Sequence, residues 1–180
     1  MFYKDERIFV LIDGFEAMKS SRGLGFDIDY SKLRKAFMTR GRLVAIQYFA
    51  STVAGEGENP QIRKFDWMSY NGFRVTTREV REEADRYERS MDMDVGLGLV
   101  EASHVADHIV LFSSTERLAP MVDYVKRQGK RVTLVSSVKS EGSRASDKLR
   151  RAADQFVELA GLAEEIGFDR ERCQATDMNR

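Results

Sequence analysis

Cysteine is almost missing from this chain of 180 residues: Cys173 is the only one, so no internal disulfide can form. That suits a reducing compartment, and Cys173 sits in a polar stretch with no metal or redox motif, where it reads as an incidental thiol. Proline is scarce as well. With only two in the chain, no proline-rich linker divides it. No apolar run approaches the ~20 residues of a membrane span. The charged opening, residues 1–7, lacks the apolar core of a secretion signal. Nor is there an excess of charge: 29 basic residues balance 29 acidic ones. Net charge therefore gives no support for broad electrostatic capture of nucleic acid, although a local basic patch is compatible with it. A cytoplasmic protein with no membrane role is expected.

What is present is an ordinary globular balance, 42% hydrophobic and 32% charged, at a length that buries one core. Short apolar runs predict strands at Arg7–Asp13, Leu43–Ala50, Phe73–Thr77, His108–Ser113, Arg131–Ser136 and Gln155–Leu159. Helical spacing predicts helices over Asp27–Arg40, from Pro60 to Asn71-Gly72, through the later part of Glu82–His104, over Leu118–Arg127 and over Ser146–Ala153. In the Glu82–His104 segment, Met93, Leu97 and Val100 share one helical face. Ser51–Asn59 and Ser137–Ser143 read as loops. Strands alternating with helices imply a largely parallel sheet covered on both faces. In such sheets, sites form at the carboxyl ends of the strands, near the reversal of strand order. That rule selects Asp13–Glu16 and Ser113–Arg117.

Asp13 ends the first strand, where a carboxylate is held firmly and aimed into the crevice. Magnesium takes hard oxygen ligands and often needs only one or two carboxylates, so Asp13 is a candidate ligand and Glu16 a second. The plainer role for Asp13 is capping the turn with Gly14. Asp92 and Asp94 lie in SMDMDVGLGLV. A spacing of two sends them to different helix faces, so one of the pair is expected to face the site. Helix capping is the competing role there. Ser113, Ser114, Thr115 and Glu116 follow the fourth strand, where hydroxyls and amides either hold a phosphate or cap a helix. No G-x-S-x-G, G-x-G-x-x-G or H-E-x-x-H pattern occurs, and His104 with His108 makes a weak metal signal.

These segments resemble the NYN-domain family, which includes bacterial LabA-like proteins and belongs to the PIN-like nuclease superfamily. The family's I-D-G-x-N opening reads Ile12-Asp13-Gly14-Phe15-Glu16 here. QYFAS and GFRVTTREV resemble the next two strands. MDMDVGLGLV resembles K-G-V-D-V-x-L-x-x-D, which places Asp94 on the motif's first acid, Met91 on its lysine and Val100 on its second acid, with Glu101 beside it. DHIVLFSSTERLAPMV, Asp107 to Val122, resembles D-x-x-x-L-V-S-G-D-x-D-F-x-P-L-V. Its two aspartates fall on Thr115 and Arg117, with Glu116 between them. GKRVTLVS and SDKLRRAADQFVEL complete the pattern.

The resemblance implies a three-layer α/β/α PIN-like, Rossmann-like fold over residues 1–160; the remaining tail, 161–180, is charged and weakly periodic, which reads as a helix followed by a frayed end. The resemblance also implies Mg2+- or Mn2+-dependent cleavage of RNA by clustered carboxylates. Asp13 and Asp94 would be the catalytic pair, with Glu16 and Glu116 completing the metal shell. Ser113, Ser114, Thr115 and Arg117 would contact phosphate. Because a cation stands where the family has an acid, three readings stay open. The first is a divergent metal-dependent ribonuclease. The second is a silent domain that binds RNA or a protein partner, a homo-oligomer included. The third is a small-molecule phosphate binder using Ser113, Ser114 and the loop Ser137–Ser143.

Overall fold

The computed structural model describes residues 2–53, 60–85 and 88–168. Its centre is a six-stranded, all-parallel sheet in the order β3-β2-β1-β4-β5-β6. The strands are β1 Arg7–Asp13, β2 Arg42–Val53, β3 Phe73–Val80, β4 His108–Phe112, β5 Arg131–Ser136 and β6 Gln155–Glu158. The helices are α1 Gly14–Arg22, α2 Tyr30–Met38, α3 Pro60–Tyr70, α4 Asp92–Val105, α5 Ala119–Arg127, α6 Asp147–Ala152 and α7 Ala163–Ile166. Side chains alternate across each strand, so β1 feeds two cores. Ile8, Val10 and Ile12 join Leu33, Phe37, Phe65 and Met68 on one face. Phe9 and Leu11 join Val95, Leu99, Val122 and Leu149 on the other. Burial on both faces is why β1 and β4 read as unbroken apolar runs.

Strand order reverses between β1 and β4, so the chain ends of these two strands frame a crevice. Asp13 and Ser113 stand at that reversal. No helix among the described residues is long and apolar enough to cross a membrane.

Four elements differ from the sequence expectation. Helix α1 carried no apolar signal, because its inward residues are Gly14, Glu16, Ala17, Ser20 and Ser21. Strands β2 and β3 run on to Val53 and Val80, pairing Ser51 with Arg78 and Val53 with Val80 where a loop was expected. Residues 54–59 of that predicted loop lie outside the described residues. The apolar face expected of α4 points outward: Met93 is 75% exposed and Leu97 58%. The buried face is Val95, Leu99 and Ala102 together with Gly98. A Cβ on Gly98 would sit 2.7 Å from the Phe49 ring, so the helix seats through its smallest residue.

Past β6, a 3-10 turn Leu159–Leu162 and α7 fold back onto the body. Ile166 is buried, Asp29 N donates to its carbonyl at 2.8 Å, and Arg40 pairs with Glu165 at 2.6 Å. The expected frayed end, 169–180 with Cys173, lies outside the described residues.

Candidate functional site

The cavity at the strand reversal has a volume of about 830 Å³. Its floor is built around Asp13, which ends β1 and caps α1. Asp13 Oδ1 accepts a hydrogen bond from the Glu16 amide at 3.2 Å, and Oδ2 accepts one from Ser113 Oγ at 3.3 Å. Only 4% of Asp13 is exposed. Burial, reinforced by the negative charges of Glu16 and Asp92, pushes its pKa from 3.8 up to about 7, against the pull of the Glu16 amide and the Ser113 hydroxyl. Asp13 thus fills the capping role expected of it through Oδ1, while Oδ2 is held by Ser113.

Glu16, in the first turn of α1, is buried and accepts a hydrogen bond from Ser143 Oγ. Ser143 belongs to the loop between β5 and α6, which lies flush on α1: a Cβ on Gly142 would come within 2.1 Å of the Lys19 carbonyl oxygen. A chain of hydroxyls stiffens the floor below. Ser114 Oγ is 3.2 Å from Ser20 Oγ and 2.9 Å from Ser136 Oγ, and Ser20 Oγ donates to the Ser143 carbonyl at 2.9 Å. Ser113, Ser114, Ser136 and Ser20 are all buried.

Asp92, at the start of α4, supplies the third acid of the cavity lining. Its Oδ2 is 3.1 Å from Arg117 Nη1. Arg117 rises from a 3-10 turn, Glu116–Leu118, whose cap is Thr115. The position that carries an acid in the resembling motif thus holds a guanidinium, and the nearest acid is bound to it. Glu116 is exposed on the rim.

Asp13, Glu16, Ser114, Thr115, Glu116 and Arg117 are brought together, with Ser113 behind Asp13. Asp94 is not among the lining residues; its Oδ2 lies 3.6 Å from Arg78 Nη2. Two helical steps turn a side chain by roughly 200°, so seating α4 on Val95 and Leu99 presents Asp92 rather than Asp94 to the cavity. His104 is exposed on α4 whereas His108 is buried in β4.

Several lining residues escaped the sequence reading: Lys19, Arg89, Gln61, Arg144 and Ser146. Lys19 follows Glu16 by three residues, which puts both on one helix face, but only the presence of α1 gives that spacing meaning. Lys19, Arg89, Arg117 and Arg144 make four cations against four acids, Asp13, Glu16, Asp92 and Glu116. With its pKa raised to about 7 by burial, Asp13 holds its proton more readily than an ordinary carboxylate.

These donors do not fit a metal centre built on three or four carboxylates. Among the described residues, no three His, Cys, Asp or Glu side chains are grouped to hold one ion. The cavity acids are also engaged: Glu16 by Ser143 and Asp92 by Arg117.

Comparison with known proteins identifies the architecture. The crystal structure of a protein of unknown function from Vibrio parahaemolyticus superposes with a TM-score of 0.73 at 19% identity, over 93% of this chain and 99% of that one. That likeness shows a shared fold. DsGPDH of Dunaliella salina aligns with a TM-score of only 0.35 at 13% identity, over 83% of this chain and 25% of its own. Among curated proteins no match was found. The NYN domain model matches residues 7–160, which span β1 through β6. The chain belongs to the NYN-domain family and, with it, to the PIN-like nuclease superfamily.

Proposed function

We propose that this NYN domain binds single-stranded RNA along the cavity and does not cleave it efficiently. The observation that carries this is the Arg117–Asp92 ion pair, 3.1 Å long, on the cavity wall. It puts a fixed positive group where hydrolysis in this superfamily relies on negative ones, and it neutralises one of the acids that remain. Guanidinium groups bind phosphate through paired N–H donors and keep their charge at any working pH. Arg117, Arg144 and Lys19 offer the charge, and Thr115, Ser143 and Ser146 offer hydroxyl contacts. The hydroxyl chain through Ser114 keeps that surface rigid, so little ordering entropy is lost on binding.

The competing reading is a ribonuclease dependent on Mg2+ or Mn2+. One observation favours it: a buried carboxylate beside two others, as Asp13 is, gains from a nearby cation. That reading requires Asp92 to be released from Arg117, and it leaves Asp94 away from the cavity.

Fluorescence anisotropy with a labelled single-stranded RNA separates the two. Binding is expected to weaken by roughly 0.7 of a logarithmic unit per phosphate contact for each tenfold rise in salt. Arg117→Glu is expected to weaken it about tenfold, because a charge-assisted phosphate contact is replaced by repulsion. Asp13 ionises as pH rises through about 7, so affinity should fall between pH 6 and pH 8, and Asp13→Asn should flatten that dependence. Metal-dependent cleavage that disappears in Asp13→Asn would instead establish the enzyme.

A further inference from the structure

A second concavity of about 460 Å³ lies against α1. Met18 lines both it and the main cavity, so the two adjoin at α1. The volume is within the roughly 300–1,000 Å³ of small-ligand sites. Its walls differ from those of the main cavity. Trp67 is 40% exposed and Phe168 48% exposed, and both contribute to the lining. Trp67 is not a loose surface ring: it packs on Phe73 with ring centres 6.5 Å apart, and Phe73 meets Tyr30 edge-on at 6.2 Å. Lys64 Nζ lies 4.6 Å from the centre of the Tyr30 ring and donates to Tyr48 Oη at 3.0 Å, which fixes it at the mouth. Asp27 and Asp29 also line the concavity. Asp27 pairs with Arg22 at 3.0 Å and Asp29 Oδ1 caps α2 through the Lys32 amide; these carboxylates oppose a phosphate and suit the amino and imino donors of a base.

From this we propose that the concavity is a stacking site for one unpaired nucleobase of an RNA strand whose backbone occupies the main cavity. This rests on the RNA reading above. The strand crosses α1 at Met18, and the base a few nucleotides on lies against Trp67 and Phe168. Preformed aromatic faces with a neighbouring cation are how single-stranded nucleic acid is held without reading its sequence.

Trp67 is the only tryptophan of the chain, so its fluorescence reports this site alone. The test uses the full chain and two labelled eight-nucleotide probes: oligoadenylate, and a ribose–phosphate strand of equal length without bases. Both should bind by anisotropy, with oligoadenylate the tighter, and only oligoadenylate should quench Trp67. Phe168→Ala and Trp67→Ala should each weaken oligoadenylate about tenfold, the loss of roughly one stacked base, and leave the abasic strand unchanged. Trp67→Phe, which keeps a ring, should retain most of the affinity and covers the case in which Trp67→Ala fails to fold. If both probes bind equally and Trp67 fluorescence does not change, the stacking site is overturned while binding in the main cavity stands. If neither probe binds, the RNA reading is overturned and the stacking site with it.

Discussion

Strand β1 starts beside one aspartate and ends on another. At its start, Asp107 takes hydrogen bonds from Arg7 Nη2 at 2.7 Å and Nε at 3.0 Å, and that pairing holds its pKa down at about 2. At its end, Asp13 is buried beside Glu16 and Asp92, and its pKa rises to about 7. The same contrast separates the wider surroundings. Behind the amino ends of β4 and β5, His108 Nε2 lies 2.7 Å from Thr133 Oγ1 and Nδ1 lies 3.2 Å from Glu6 Oε2. Arg131 pairs with Glu6, and Phe2 stacks on the imidazole at 4.8 Å. The line Thr133–His108–Glu6 has the residue types of a catalytic triad, but His108 and Thr133 are fully buried, so no substrate reaches them. At the carboxyl ends, a cavity of 830 Å³ opens over acids set side by side. Polar groups that complete one another hold the fold together. Polar groups that repel one another below an opening leave an interaction for something from solution.

Breaking the sealed end should have the largest effect. His108→Ala removes a buried ring and leaves Glu6 and Thr133 without it, at a cost of about 3–5 kcal/mol in urea unfolding. At permissive temperature its RNA affinity should match that of the parent chain. The imidazole is held neutral by burial and by Arg131, against Glu6, so its folded pKa lies below 6.5. The unfolded chain then binds more protons, and the parent should lose stability as pH falls through the unfolded value.

At the open end the sign reverses. Folded Asp13 holds its proton more tightly than unfolded Asp13, so between about pH 4 and pH 7 stability falls as pH rises. Asp13→Asn keeps the cap and never ionises. It should stabilise the chain at pH 8 by about 1–3 kcal/mol, below the ceiling of about 4 that a three-unit shift sets at 1.36 kcal/mol per unit. A variant that is instead less stable at pH 8 would remove the contrast between the two ends.

How far the sequence foretold this depends on which side chain carried the signal. All six strands were placed from the sequence, the central ones through apolar runs and Phe73–Thr77 through the Asn71-Gly72 stop before it, and the alternation of strand and helix was enough to expect a parallel sheet. Helix α1 was not placed, since Ala17, Ser20 and Ser21 bury no more than a methyl or a hydroxyl. The cost was the site's inner wall, Lys19 with it. In α4 the larger apolar residues, Met93 and Leu97, pointed to the wrong face because Gly98 allows close approach to Phe49. That same choice of face decides whether Asp92 or Asp94 reaches the cavity, a matter of packing that neither spacing nor resemblance contains. Asp13, Glu16 and the segment Ser113–Arg117 were legible because strand ends at a reversal of order are fixed by topology.

Arg117→Gln, which removes the charge without reversing it, should cost no more than about 1 kcal/mol of stability while reducing RNA affinity. Asp107→Asn should be close to silent in thermal melts at neutral pH, because that pair stands in solvent. Its contribution should vanish only as pH falls toward the aspartate's value of about 2.

The most direct measurement is electrophoresis of end-labelled single-stranded RNA after incubation with the protein in Mn2+, run on native and denaturing gels in parallel, for the parent chain and for Thr115→Asp with Arg117→Asp. A parent chain that shifts the RNA on the native gel and leaves it full-length on the denaturing gel, with cutting gained in the double variant, is the expected result. RNA that the parent chain cuts, and that Asp13→Asn leaves whole, would contradict a binding domain with a disabled acidic site.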